Sequence, residues 1–77
     1  MEPKAGDYGV HQREDGAYDV FRIIDSGEQE IRRKGIPHLN TARDIAKAGL
    51  EDTGGTALWW SHYSAPGVLT PYDPFRK

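Results

Sequence analysis

Residues 7–24 read DYGVHQREDGAYDVFRII, and how this stretch turns back on itself decides the fold. Two short runs of strand-forming residues flank Asp15-Gly16. That dipeptide is a strong two-residue hairpin signal, because a type I′ turn needs positive φ at both central positions. Such a turn pairs Glu14 with Ala17, Val10 with Phe21 and Tyr8 with Ile23. Tyr8, Val10, Phe21 and Ile23 then share one face, the expected core side. His11, Arg13, Tyr18, Val20 and Arg22 fall on the other.

The following turn, IDSGEQEI (24–31), sets the third strand. A two-residue Ser-Gly loop would place Glu30 on the apolar face. A three-residue Asp25-Ser26-Gly27 loop, with Gly27 left-handed in a G1 bulge, places Ile31 opposite Phe21 instead. It also sets Glu30 against Arg22 and Arg33 against Asp19. A one-residue slip moves every side chain to the other face, so burial of Ile31 favours the three-residue loop.

GIPHLNTARDIAKAGLEDTGG (35–55) reads as a linker and a helix. Pro37 keeps the residue before it extended. Thr41 and Asp44 have capping-box spacing, with Asp in place of the usual Glu or Gln. Ala42, Ile45, Ala46 and Leu50 form a narrow apolar stripe, and Gly54-Gly55 ends the helix. TALWWSHYSAPGVLTPYDPFRK (56–77) reads as a strand, a type II turn at Pro66-Gly67 and a short fifth strand ending at Pro71. The expected fold is α+β: a small antiparallel sheet of four to five strands, in the order βββαββ, with one helix packed on one face. The fourth strand can pair with the first or the third. Residues 1–77 make one domain, with 1–5 and 73–77 as flexible or extended tails.

A chain of 77 residues buries a limited share of its surface, so each large apolar residue counts. It has no cysteine, which excludes disulfides and thiolate metal sites and makes a cytoplasmic location the expectation. The first residues, MEPKAGDYG, lack an apolar signal region, and no run approaches a membrane span. The net charge of −2 conceals an asymmetry: residues 1–30 carry three basic and eight acidic side chains, residues 31–50 five basic and one acidic. Cross-strand pairing between an acidic and a basic strand accounts for it.

No nucleophile elbow, P-loop or dinucleotide fingerprint occurs, and no cofactor is expected. His11, His38 and His62 lie in separate elements without metal-ligand spacing. Ser61 and His62 are adjacent in a strand and face opposite ways, so they cannot act as a dyad. An enzyme is not expected. Alternation also separates the two tryptophans. Leu58, Trp60 and His62 share one face and Ala57, Trp59, Ser61 and Tyr63 the other, which makes Trp60 the core residue. Trp59 then joins Arg13, Tyr18, Arg22, Arg32 and Lys34 on the helix-free face, a set of residue types that dominates binding hot spots. In the competing reading the C-terminal PYDPF folds back over Trp59 and makes it a second small core. Arg33 is expected on the opposite face from Arg32 and Lys34.

The order of hairpin, TARDIAKAG helix and ALWWSHY strand resembles small uncharacterised proteins encoded by bacteriophages and prophages. The resemblance spans residues 17–63 and rests on Ala42-Arg43, Ala46 and Trp59-Trp60-Ser61-His62-Tyr63. The doubled tryptophan and the proline-rich tail depart from that pattern. It implies a binding protein, including inhibitors of host proteins such as defence nucleases. The sequence thus predicts a monomer or weak dimer that binds a protein. Single-stranded nucleic acid on the same sheet face is the alternative.

Overall fold

The structure, a computed structural model, describes residues 2–72. The chain runs β1 (Tyr8–Gln12), β2 (Tyr18–Ile23), β3 (Gln29–Ile36), α1 (Leu39–Thr53), β4 (Leu58–Ser61) and β5 (Leu69–Pro71). All five strands join one sheet in the order β3-β2-β1-β4-β5. The α+β class and the βββαββ order are those expected. Three of the pairings are antiparallel, while β4 runs parallel to its neighbour β1. The 15-residue helix explains this difference. It returns the chain across β2 and β1, so β4 starts at the end of the sheet where β3 started. Parallel alignment requires a crossover of this kind.

The first hairpin departs from the expected turn. Arg13 N–H donates to the Ala17 carbonyl (2.9 Å) and Gly16 N–H to the Arg13 carbonyl (3.2 Å), with Gly16 at φ 88°. The loop is therefore Glu14-Asp15-Gly16, three residues ending in a left-handed glycine. A type I′ turn would have put Asp15 at positive φ. The three-residue form puts only glycine there and lets the Asp15 carboxylate accept from Ala17 N–H at 3.0 Å. The second loop, Asp25-Ser26-Gly27, has the same form and was expected.

One extra loop residue shifts the first register by one. Val10 lies opposite Val20 and Gly9 opposite Phe21. Phe21 and Ile23 therefore leave the face of Tyr8 and Val10, which splits the core into two layers. On the helix side Tyr8, Val10, Val20, Ile36 and Leu58 pack with Ala42 and Ala46, and Ile45 and Leu50 flank them. On the other side lie Phe21, Ile23 and Trp59, flanked by Ala57 and Leu69. The Phe21 ring occupies the space a side chain at position 9 would need, so only glycine fits between the two layers there.

The helix begins earlier than its capping-box spacing suggests. His38 is the extended N-cap (φ −123°, ψ 131°) and makes no side-chain cap bond. Asp44 instead meets its neighbour Arg43 at 3.3 Å. The chain leaves the helix at Gly54, as expected. In the turn Ala65–Val68, Gly67 lacks the positive φ of a type II turn.

Candidate functional site

The expected surface of Trp59, Arg13, Tyr18, Arg22, Arg32 and Lys34 is not one face. Trp59 does lie on the side away from the helix, but it is only 1% exposed. Its indole Nε1–H donates to the buried Asp7 carboxylate at 3.0 Å. The β4–β5 connection closes over the same side: the Pro66 carbonyl accepts from Ser61 Oγ (3.3 Å) and from Gln29 Nε2 (3.4 Å) of β3. The loop around Pro66 thus lies over this layer. Tyr72 packs instead on Trp60, with ring centroids 5.5 Å apart, and Phe75 lies outside the described residues.

Tyr18 and Arg22 stand on the helix side, because the register shift that buried Phe21 also turned them over. Tyr18 lies 6.3 Å from Trp60, which is half-buried rather than enclosed. Burial in this aromatic group pushes the Tyr72 hydroxyl pKa up, against the opposing charge of Arg43. Arg13 stays at its hairpin, bridging Asp15 (3.0 Å) and Asp19 (3.5 Å). Lys34 is exposed on β3.

The β2–β3 ladder carries irregularities that sequence alternation misses. Glu30 lies opposite Arg22 and Ile31 opposite Phe21, as expected, but Val20 lies opposite Arg33. Arg33 had been expected opposite Asp19 and on the other face from Arg32. The extra residue between Ile31 and Arg33 is a β-bulge, which lets two residues oppose one. Arg33 therefore shares the helix side with Val20, and so does Arg32, which bonds Glu30 at 2.8 Å. That hydrogen bond, with the nearby Tyr8 and Glu30 charges, raises the Arg32 pKa. Glu30 is thus committed to Arg32, not to Arg22 across the strand. Farther along, Asp19 accepts the Gly35 N–H at 3.0 Å and fixes the second irregularity.

Two Ser–His contacts occur. His11 Nδ1 and Ser61 Oγ lie 2.9 Å apart, brought together by the parallel β1–β4 register. Ser61 is fully buried, and its Oγ also lies 3.3 Å from the Pro66 carbonyl, so the His11 tautomer sets which of the two partners receives the one hydroxyl proton. The contact ties β1 to β4. His62 meets Ser64 at 2.7 Å inside one exposed turn. Among the described residues no three His, Cys, Asp or Glu side chains converge as a metal site would need, and no helix is long and apolar enough to cross a membrane.

Sequence reasoning missed Asp7. Its Oδ1 accepts Thr56 N–H (2.9 Å) and Ala57 N–H (3.2 Å), and its Oδ2 accepts Lys4 N–H (3.0 Å) as well as Trp59. Burial alone would raise its pKa, but the bonds from Lys4, Trp59, Thr56 and Ala57 outweigh it and hold the group below its ordinary value. Asp7 lies at the foot of a hollow of about 390 Å³ lined by Glu2, Pro3, Lys4, Thr56, Ala57 and Trp59. Every contact it makes is to a distant segment or to a backbone group, so residue type and local spacing gave no signal.

Comparison with known proteins finds no matching family model, no matching curated sequence and no matching solved structure.

Proposed function

We propose that this chain is a non-enzymatic binding module that docks an acidic segment of a partner protein along β3. The observation that carries this reading is the state of that strand. It is an eight-residue edge strand with seven residues exposed, and Arg33 and Lys34 have no anionic partner among the described residues. An open edge offers unpaired backbone N–H and C=O groups for strand addition. Its cations repel a second copy of the same strand and favour an acidic one, which fits a monomer awaiting a partner. The resemblance to phage-encoded proteins points to a host protein as that partner.

The burial of Trp59 weighs against single-stranded nucleic acid, which needs exposed rings on which bases stack. The test is capture from lysate by the wild-type chain and by an Arg33→Glu/Lys34→Glu variant, side by side, with and without nuclease. The expected result is a protein retained through nuclease treatment, lost with the variant, and bound through a segment rich in Asp and Glu. A captured set that ignores the charge reversal, or that disappears with nuclease, overturns the reading.

A further inference from the structure

We infer that Arg22, Arg32 and Arg33 form a seat for a single oxyanion, a carboxylate or a phosphate. The inference deepens the docking reading, since it gives the point at which an acidic partner would be held. Arg22 is half-buried in the middle of β2, with Tyr8 on one side and Glu30 on the other. Its Nε is shut off from solvent and has no acceptor, and no other ion pair to Arg22 occurs among the described residues. A buried N–H without an acceptor is destabilising, and the guanidinium that carries it has no counter-ion, so an anion reaching its terminal nitrogens supplies a charge-assisted partner that the described residues do not.

The carboxylate directly across the ladder from Arg22 is already taken: Glu30 is turned to Arg32 at 2.8 Å. The bulge supplies the third guanidinium by holding Arg33 opposite Val20, on the same side of the sheet as Arg22. Regular alternation would have sent it away. Guanidinium groups present planar forks that match the two oxygens of a carboxylate or phosphate, and partial burial strengthens the attraction over that at an open surface.

The experiment is a chemical-shift titration of the isotope-labelled full chain, following backbone amides and arginine Nε–Hε signals. Sodium phosphate and sodium acetate are added in separate arms, with sodium chloride holding ionic strength constant. Saturable shifts are expected at Arg22, Arg32, Arg33 and Tyr8. The arm that saturates at the lower concentration identifies the preferred oxyanion. Arg33→Gln, an exposed change that leaves the fold intact, should weaken binding about tenfold, and Arg22→Lys should weaken it although charge is kept. Shifts that never saturate, or that persist unchanged in Arg33→Gln and Arg22→Lys, overturn the seat. Failure of the wild-type chain to retain any protein through nuclease treatment, with the anion titration intact, would sink the docking reading alone.

Discussion

Replacing Asp7 tests how the two halves of the chain are joined. The carboxylate receives N–H groups from Lys4, Thr56, Ala57 and Trp59, spanning the N-terminal segment and the entry to β4. Asparagine keeps one acceptor oxygen. Placed at the Oδ1 position it preserves both backbone donors of residues 56 and 57, but its amide then faces Lys4 N–H and the Trp59 indole. The indole donor belongs to a side chain 1% exposed, so water cannot replace the lost partner. A buried donor left unmade costs about 1–3 kcal/mol, and bonds to a charged acceptor lie toward the upper end. Asp7→Asn should therefore cost about 3 kcal/mol and Asp7→Ala about 5, against a total stability of roughly 4–12 for a chain of this length. The assay is urea unfolding followed by tryptophan fluorescence as a function of pH. Because the folded pKa of Asp7 lies below its unfolded value, the stabilisation is complete above about pH 4 and is lost as pH falls through the folded value. The substituted amide cannot titrate, so the gap between wild type and Asp7→Asn should narrow on acidification. A gap that is absent at neutral pH, or that stays constant down to about pH 2, would refute the clasp.

The two tryptophans should rank in one order. Trp59→Ala removes an enclosed ring and should cost about 3–5 kcal/mol, whereas Trp60→Ala, at a half-exposed position, should cost about 1–3; thermal melts in the opposite order would overturn the two-layer core. Gly9→Ala should cost about 1–3 kcal/mol by displacing Phe21, while Gly67→Ala, with open space around it, should be silent in the same melts.

What the sequence revealed and what it hid follow from one kind of feature. Both hairpin loops carry an acidic or small polar pair followed by glycine, and both fold as three-residue loops. For Asp25-Ser26-Gly27, a hydrophobic residue beyond the turn selected the register. Ile31 does lie opposite Phe21, but at 41% exposure it is not the buried residue expected, so the register agrees while the reason given for it does not. For Glu14-Asp15-Gly16 each register offered an apolar residue to each face, Val20 in one and Phe21 in the other. Patterning could not choose between them, and the dipeptide Asp-Gly pointed to the shorter turn. The helix stripe of Ala42 and Ala46 and the opposite facing of the tryptophans follow from period alone and were legible. The bulge at Arg32-Arg33, the loop over Trp59 and the Asp7 bonds depend on groups distant in the chain, where local pattern carries no information.

The split core also bears on where the proposed docking would sit. With Tyr8, Val10, Val20 and Leu58 buried on one side and Phe21, Ile23 and Trp59 on the other, the three central strands spend both faces on stability. Of the two edges, β5 is three residues long and ends in Pro71, which has no N–H to donate to an added strand. The other edge is β3, placed there because α1 carries the chain over β2 and β1 before β4 joins the sheet. It carries two register irregularities and three consecutive cationic residues, Arg32, Arg33 and Lys34, and its backbone keeps an open side. Under the docking proposed above, the same irregularities that complete the fold leave the cationic edge as the surface that would meet a partner.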